Sequence, residues 1–596
     1  MAGPSLHKQI SQTPRHPTNT TMPTLLPDWL TRYQPAWLAG DMTAGLIVTV
    51  MLIPQSLAYA MLAGLPPEVG LYASILPLFA YAFFGSSMTL AVGPVAVASL
   101  MTASALAPLA LAGTPEYVTL SVLLALLSGA MLFVFGLLRL GFLAYFLSHP
   151  VISGFISGSA VLIAIGQLKY LFGIKLASGN VMTTLIGLVQ GLPHLNPTTS
   201  TLGIGALLFL FFARSYLGPL LRSVGLPART ADLATKLAPM VAVIATTAIV
   251  GSMGLDQHAA VSVVGAVPAG LPTIAMPQLQ WQDIRLLWLP ALLISLVGFV
   301  ESVSVAQSLA LKRSQRIKPN KELLGIGAAN LASALSGGYP VTGGFARSVV
   351  NFSAGAHTPA AGMISAVMMA AVIAGLSGWF YYLPHAALAA TIIVAVIGLI
   401  DLKTLKESWH YDRADAISLL MTFAGVVLFG VEEGIVLGVV LSLAVLVWRS
   451  SHPHMAVVGR VPGTEHFRNV ERFQVDTQPG LIALRIDESL YFANAQVLED
   501  KIESLVATRP DTRAVLLIMS AVNQLDTTAL GMLDELEKNL SARQISLQLA
   551  EVKGPVLDRL RHTALGERLN DRVFLSTHQA FLHYAAHTQA IARKTS

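Results

Sequence analysis

Residues 91–97 read Ala-Val-Gly-Pro-Val-Ala-Val, and residues 341–347 read Val-Thr-Gly-Gly-Phe-Ala-Arg. Each stretch opens an apolar segment that is short and broken by glycine or proline at its start. The two stretches lie 250 residues apart and seven apolar segments apart, so they occupy matching places in two halves of the chain. Interrupted segments at matching positions are typical of membrane proteins built from inverted repeats, with a ligand site near the midplane.

The composition places most of the chain in a membrane. Only 12% of the 596 residues are charged and the mean hydropathy is +0.64, whereas a soluble chain has about a quarter of charged residues. Apolar runs of roughly 20 residues can span a bilayer, and they must be helical because lipid offers no hydrogen bonds to irregular backbone. We count about 14 such segments, near residues 41–62, 68–85, 94–108, 116–138, 150–170, 199–213, 233–252, 284–310, 322–336, 344–355, 359–378, 384–400, 411–430 and 432–449.

The basic residues indicate the orientation of these segments. No Lys or Arg lies between Asp41 and Leu138, and most basic residues between positions 139 and 450 fall in or beside three hydrophilic connections. With a cytoplasmic N-terminus, all three connections are cytoplasmic, as the positive-inside bias requires. An even number of spans returns the C-terminus to the cytoplasm. We therefore predict a multi-pass protein of the inner (plasma) membrane with both termini inside. The residues concerned are Arg214, Arg222, Arg229, Lys236, Lys312, Arg313, Arg316, Lys318, Lys321, Lys403, Lys406 and Arg413.

The C-terminal part is a different kind of chain. Strand patterns at Leu481–Ile486, Ala514–Met519 and Ile545–Leu549 alternate with helical patterns over Asn494–Thr508 and Thr527–Leu540. Such alternation predicts a small α/β layer domain. We expect a cytoplasmic leader over 1–40, a membrane domain over 41–450, a linker with the first part of the soluble region over 451–480, the α/β domain over 481–585 and a tail over 586–596.

Several classes of chemistry find no support. The chain has no cysteine, which excludes thiolate zinc sites and iron–sulfur clusters. No histidine cluster suggests a metal, and no nucleotide-binding loop or nucleophile–base pair is present. We expect no catalytic residue, no cofactor, no metal and no nucleic-acid partner.

The broken segments predict an anion site. A half-helix that starts in mid-membrane has free N–H groups at its N-terminus, where the helix dipole is positive, so two such ends attract an anion. Arg347 lies one turn into the tenth segment, and an intramembrane charge usually marks a site. Alternatively, Arg347 could have a purely structural role and pair with Glu301 or a lipid phosphate. Glu301, in the eighth segment, could carry a coupling proton or serve as the fixed counter-ion of Arg347.

Longer motifs resemble a known family. Residues 41–46 read Asp-Met-Thr-Ala-Gly-Leu, residues 53–60 Ile-Pro-Gln-Ser-Leu-Ala-Tyr-Ala, residues 63–74 Ala-Gly-Leu-Pro-Pro-Glu-Val-Gly-Leu-Tyr-Ala-Ser, residues 342–351 Thr-Gly-Gly-Phe-Ala-Arg-Ser-Val-Val-Asn, and residues 490–494 Leu-Tyr-Phe-Ala-Asn. These resemble the SulP sulfate permeases, relatives of solute carrier family 26, and the start of their C-terminal STAS domain. The likeness extends over about residues 28–585.

The resemblance implies a fold and a site. It implies an all-α membrane fold of 14 segments in two inverted seven-segment repeats, with a core domain (segments 1–4 and 8–11), a gate domain (5–7 and 12–14) and a cytoplasmic STAS domain. It places the substrate among Gln55, Tyr59, Val95, Ala96, Gly344, Phe345, Ala346 and Arg347. Val95 replaces an aromatic residue common in animal members, and Ala346 replaces a common serine, so Ala346 can donate only through its backbone.

The resemblance also implies regulation and a mode of action. Asp526 and Thr527 match a phosphorylation loop of bacterial anti-sigma-factor antagonists, although either could simply cap a helix. We expect a homodimeric secondary active anion transporter with an elevator-type movement, coupled to H⁺ or Na⁺ or working as an exchanger, with a possible cytoplasmic protein partner at the STAS domain. Sulfate is the leading substrate, bicarbonate and C4-dicarboxylates are alternatives, and a channel-like or sensory membrane protein with STAS output is the rival function.

Overall fold

A computed structural model describes residues 27–145, 148–174, 181–268, 270–275 and 280–595. Most of the predicted leader, residues 1–26, therefore lies outside the described residues. The chain divides into two compact units, of which the first ends at Ser442 and the second begins at Leu443.

In the described part of the chain up to residue 451, the regular structure is helical apart from one two-stranded ladder and an isolated bridge between Val263 and Pro384. Its helices are α1 (Asp28–Thr31), α2 (Leu38–Leu62), α3 (Pro67–Tyr72), α4 (Leu76–Phe84), α5 (Ala96–Leu106), α6 (Pro115–Leu137), α7 (His149–Phe172), α8 (Val181–Gly191), α9 (Pro197–Phe212), α10 (Gly218–Ser223), α11 (Ala228–Met253), α12 (Leu255–His258), α13 (Trp281–Leu311), α14 (Pro319–Leu335), α15 (Phe345–Ala354), α16 (Ala360–Leu376), α17 (His385–Ile397), α18 (Leu402–Tyr411), α19 (Arg413–Phe429) and α20 (Val431–Ser451). The strands β1 (Val92–Gly93) and β2 (Thr342–Gly343) pair antiparallel.

These helices confirm the predicted segmentation. Within the described ranges, nine helical stretches are long and apolar enough to cross a membrane. The other five predicted segments are the shorter helices α5, α14, α15, α16 and α19. The predicted all-α membrane fold with a C-terminal α/β domain is confirmed.

The membrane helices form two packed groups. Helix α14 packs on α4 and α6, α13 packs on α5 and α6, and α15 and α16 pack on α2. In the second group, α17 and α19 pack on α7, and α9 and α11 pack on α17, while α2 of the first group also contacts α11 and α17. The first group contains predicted segments 1–4 and 8–11, which is the expected core, and the second contains gate segments.

Two boundaries differ from the sequence-based expectation. Pro94 was expected in the first turn of the third segment, but α5 begins at Ala96 because the backbone stays extended through Val95 (φ −137°, ψ 153°). The connection with Lys403 and Lys406, predicted as a loop, is helix α18. The side chain of Asp401 accepts a hydrogen bond from the Thr404 amide at 3.0 Å and so caps this helix.

Two fully buried carboxylates hold the loops around the half-helices α5 and α15. Glu322, in the first turn of α14, accepts hydrogen bonds from the Tyr81 hydroxyl (2.7 Å), from the amide and hydroxyl of Ser86 (2.8 and 2.6 Å) and from the Ser87 amide (2.9 Å). Asp41, early in α2, fixes the loop between α15 and α16 by accepting bonds from the His357 amide (2.6 Å) and from the amide and hydroxyl of Thr358 (3.0 and 2.7 Å). Each carboxylate therefore uses its hydrogen bonds to hold the backbone of a loop in place.

The C-terminal unit contains one six-stranded sheet in the order β4-β3-β5-β6-β7-β8. Strands β3 and β4 are antiparallel to their neighbours, and β5 to β8 run parallel. The predicted strands and helices correspond to β5, β6, β7, α21 and α22, whereas β3, β4, β8 and the last helices escaped prediction. The elements are β3 (Met455–Arg460), β4 (Phe467–Asn469), β5 (Leu481–Ile486), α21 (Ala495–Thr508), β6 (Ala514–Ile518), α22 (Thr527–Ala542), β7 (Ser546–Ala550), α23 (Gly554–Leu560), α24 (Ala564–Arg568), β8 (Val573–Phe574) and α25 (Thr577–Thr595).

A buried ion cluster joins α22 to the segment that follows β7. The Glu537 side chain is only 3% exposed. It accepts hydrogen bonds from Arg568 Nε (2.8 Å), Arg572 Nη2 (3.0 Å) and the Ser541 hydroxyl (3.0 Å). Because all its charge is compensated by these donors, we interpret the cluster as structural.

Candidate functional site

The two half-helices α5 and α15 start at a common junction. In the β1–β2 ladder, Val92 lies opposite Gly343, and the Gly344 amide donates to the Ala91 carbonyl at 3.1 Å. The Ala91 amide donates in turn to the Ser348 hydroxyl at 2.9 Å. These bonds fix the start of one half-helix against the first turn of the other.

Both half-helices present uncapped N-termini. Val95 and Gly344 occupy the N-cap positions with extended backbones, and neither side chain caps its helix. The first amides of each helix lack partners within the helix, and the helix dipole makes both ends positive. An arrangement of this kind attracts an anion.

The Arg347 guanidinium lies against both half-helix starts. A Cβ atom added at Gly93 would lie 2.9 Å from Arg347 Nη1, and one at Gly344 would lie 3.0 Å from both Nε and Nη2. At Gly93 the backbone φ of +152° also favours glycine. Glycine at these two positions therefore makes room for the arginine beside the N-termini.

Arg347 is buried without a hydrogen-bond partner for its terminal nitrogens. The residue is 3% exposed, and neither Nη1 nor Nη2 has a partner within the part of the chain that the structure describes. A buried charge normally requires a partner. The unused donors of Arg347 are therefore available to a bound anion.

Side chains of α2 and α13 complete the surroundings. Tyr59 is 9% exposed and Gln55 is half-buried one helical turn away. Coulombic interactions connect Arg347 with Tyr59, Tyr339 and Glu301. The structure thus brings α2, α5, α13 and α15 together around the guanidinium.

The predicted lining residues differ in exposure. Val95, Ala96 and Gly344 are buried, whereas Ala346 is exposed and Phe345 is 51% exposed. Phe345 and Ala346 are the first two residues of α15. Their contribution to an anion site would come from their backbone amides, whose position does not depend on side-chain burial.

Glu301 does not neutralise Arg347 through a hydrogen bond. It is half-buried, and the terminal nitrogens of Arg347 have no partner among the described residues. A tightly bonded counter-ion pair, one of the two alternatives from the sequence, is therefore not formed here. The role of Glu301 in coupling stays a prediction.

Several supporting residues were missed by the sequence reasoning. Tyr339, fully buried, hydrogen-bonds through its hydroxyl to the Ser99 hydroxyl of α5 at 2.9 Å. The Gly343 amide donates to the Ser302 hydroxyl at 2.8 Å, and Asn330 binds both the amide and the carbonyl of Val341 at 2.9 and 2.8 Å. The only sequence signal was a polar residue inside an apolar segment.

The predicted regulatory loop has a structural explanation for one of its two residues. Asp526 accepts hydrogen bonds from the amides of Ala529 and Phe492, both at 2.8 Å, and so caps α22. Thr527 is exposed at the first position of that helix. Of the two residues, Thr527 alone is accessible for modification.

Comparison with known proteins is consistent across most of the chain. The sequence profile of the sulfate permease family matches residues 38–422, and that of the STAS domain matches residues 472–580. The chain is similar to "Sulfate transporter 4.1, chloroplastic" of Arabidopsis thaliana, with 36% identity over 535 residues, 88% of this chain and 76% of the relative. It is also similar to "Probable sulfate transporter MT1781" of Mycobacterium tuberculosis, with 34% identity over 547 residues, 91% of this chain and 95% of the relative.

A solved structure shares the fold. The murine Solute Carrier 26 family member A9 anion transporter in the inward-facing state superposes with a TM-score of 0.85, covering 98% of this chain and 97% of that one. The sequence identity is 23%, so the likeness concerns the fold alone.

Proposed function

The chain belongs to the sulfate permease family, and on that premise we propose that it is a secondary active transporter that moves sulfate across the membrane. The family consists of transporters rather than enzymes. The substrate would bind between the N-termini of α5 and α15. The partnerless guanidinium of Arg347, placed against both half-helix starts, is the observation that supports this site most strongly.

The chemistry of sulfate suits this arrangement. A sulfate ion is a tetrahedral dianion whose oxygens accept many hydrogen bonds, and it must replace its water shell on entering a membrane. Two helix N-termini supply backbone donors, and the planar guanidinium adds a fork of charged donors. Gln55 and Tyr59 would add side-chain donors, and Val95, Ala96, Gly344, Phe345 and Ala346 would shape the site through their backbone.

Glu301 is the proposed coupling group. It lies close enough to Arg347 for their charges to interact, yet it leaves the terminal guanidinium nitrogens unbonded. A proton taken up by this carboxylate would leave Arg347 free to attract the dianion and would reduce the net charge that crosses the membrane. Na⁺ coupling is the alternative, and uptake with a pH gradient or with a Na⁺ gradient distinguishes it from proton coupling.

We propose an elevator-type movement for the transport step. The residues of the site belong to α2, α5, α13 and α15, which all pack in the core group. A displacement of the core past the gate would move the bound anion without breaking its contacts. We further propose that the protein is a homodimer in the inner membrane with cytoplasmic termini. Its STAS domain would bind a regulatory partner or be phosphorylated at Thr527.

The test is uptake by the purified protein in proteoliposomes. Labelled sulfate, bicarbonate and succinate are offered separately, each with and without a pH or Na⁺ gradient. We expect saturable sulfate uptake driven by an inward proton gradient, lost in Arg347→Ala and retained in Arg214→Ala. Arg214 is the matched control because it lies in the gate and donates to the Val394 carbonyl at 2.9 Å. Accumulation of none of the three anions, or flux without saturation, would refute the proposal.

A further inference from the structure

A second basic site lies away from the half-helices, at the ends of the core helices. A cleft of 590 Å³ is lined by residues that include Trp29, Arg32, Trp37, Arg313, Gln315 and His357. They come from α1 and the turn before α2, from the segment after α13 and from the loop between α15 and α16. Because α2 begins and α13 ends here, the cleft lies at the membrane face to which the sequence assigns the cytoplasm.

The cleft has a rigid aromatic wall. Trp29 is 7% exposed, and its indole Nε1 donates to the Ala82 carbonyl at 2.7 Å. Tyr33 stands edge-on between Trp29 and Trp37, with ring centroids 6.4 and 6.0 Å away, and Trp37 stands edge-on to His357 at 6.2 Å. Tryptophan and tyrosine gather at the membrane–water interface, where one end of the ring is apolar and the other is wet.

The charge in the cleft is positive. Two arginines line it and no carboxylate does. Arg313 is held in place, because Nη1 donates to the Ala356 carbonyl at 2.6 Å and its guanidinium stacks on Phe352 at 4.4 Å from the ring centre. Buried Asp41 attracts Arg313, but the oxygens of Asp41 are bonded to the loop at residues 357–358.

Arg32 provides the unused charge. It is exposed, and the described part of the chain contains no hydrogen bond or ion pair of its guanidinium. One arginine fixed by carbonyls and one without a partner among the described residues line the same aromatic cleft and form a site for an oxyanion that accepts bidentate hydrogen bonds. The apolar side chains of Leu30 (40% exposed) and Leu38 (51% exposed) flank the same segment and suit contact with acyl chains.

We propose that this cleft binds a phosphate group, supplied in the membrane by the headgroup of an anionic phospholipid. A phosphodiester presents the paired oxygens that arginine recognises, and its glycerol and acyl parts would follow the aromatic wall toward the exposed leucines. Anionic lipids of the cytoplasmic leaflet attract basic groups at this level. The site is independent of the transport site, since none of its lining residues belongs to the half-helix junction.

The test uses the purified full chain in detergent with added phosphatidylglycerol or phosphatidylcholine, and native mass spectrometry counts the retained lipids. We expect selective retention of phosphatidylglycerol, weakened by about tenfold or more in Arg32→Gln, since the charge-assisted hydrogen bonds of the guanidinium are lost. Arg316→Gln is the matched control, because Arg316 is exposed in the connection that carries Arg313 and does not line the cleft. Among the described residues the Arg32 guanidinium makes no hydrogen bond or ion pair, so its variant should fold.

A second arm distinguishes the source of the phosphate. Inorganic phosphate is titrated into the same samples as a competitor. If it displaces phosphatidylglycerol only at concentrations far above those of the lipid, the headgroup is the ligand. If it binds instead of the lipid, with the same dependence on Arg32, the phosphate site stands and its ligand is soluble. Equal retention by wild type and Arg32→Gln, or equal loss in Arg316→Gln, overturns the proposal.

Discussion

Replacing Arg347 by methionine should abolish anion binding without weakening the fold. The guanidinium is 3% exposed and its two terminal nitrogens have no partner within the described ranges. If each makes a charge-assisted hydrogen bond to the anion, at about 1.5–3 kcal/mol, their loss removes roughly 3–6 kcal/mol. That corresponds to a dissociation constant raised about 10²- to 10⁴-fold.

Although Arg347→Met should weaken anion binding, the same geometry predicts that it does not lower the stability of the fold. Removing a buried charge that bonds to nothing through its terminal nitrogens leaves no hydrogen-bond partner unsatisfied and relieves a desolvation cost. The nearby Glu301 carboxylate can take up a proton once the positive charge is gone, so it need not remain as an unpaired charge. The unfolding temperature of Arg347→Met should therefore equal or exceed that of the wild type in the absence of substrate. Scintillation proximity binding of labelled sulfate and thermal unfolding in the same detergent measure the two effects. Arg214→Met serves as the control, with binding unchanged.

A variant that loses both binding and several degrees of stability would show that Arg347 is a structural tie. A variant that binds sulfate like the wild type would show that the anion lies elsewhere. Either result would refute the reasoning, because each contradicts the partnerless guanidinium as the anion-binding group.

Three further predictions test neighbouring features. Gly344→Ala places a methyl group 3.0 Å from two nitrogens of Arg347 and should raise the KM for sulfate about tenfold in uptake assays. Gly205→Ala is the control: its added Cβ has no atom within 4 Å, so the KM should stay unchanged. Glu322→Gln should lower the unfolding temperature, at a cost of about 1–3 kcal/mol, because an amide nitrogen would face donors that now share one carboxylate. Burial alone would raise the pKa of Glu537, but hydrogen bonds from two arginines and a serine outweigh it and hold that pKa below its usual range. The Glu537 carboxylate therefore stabilises the folded state above its unfolded pKa of about 4.3, and this stabilisation is lost as the pH falls through the lower folded value. Hydrogen exchange of α22 in the full chain should lose protection over this acid range in the wild type. In Glu537→Gln the dependence of that protection on pH should be flatter.

The sequence predicted the membrane architecture well because lipid leaves few alternatives. A run of apolar residues must be helical there, so all predicted segments reappear in the structure within a few residues. The half-helices were located by the glycines and Pro94 that interrupt them. The start of α5 was misplaced by two residues, since the pairing of β1 with β2, a contact across about 250 residues, keeps the backbone extended beyond the proline.

The supporting contacts of the site could not be predicted. Tyr339 and Ser99 are 240 residues apart in the chain, and nothing in their local sequence links them. The same holds for Ser302, whose hydroxyl accepts the Gly343 amide. Whether Arg347 paired with Glu301 was also undecidable, because it depends on side-chain geometry across two helices. The residue types in the sequence indicated an anion site, but the hydrogen-bond partners of these residues could be identified only in the structure.

The most direct test of the central claim is to locate the bound anion. Selenate replaces sulfate as a heavier analogue, and its selenium is located by anomalous diffraction from crystals of the full chain grown with selenate. We expect a selenium peak between the N-termini of α5 and α15, within hydrogen-bonding reach of the Arg347 guanidinium and absent in Arg347→Met. A peak elsewhere in the membrane domain, or one that persists unchanged without the arginine, would contradict it.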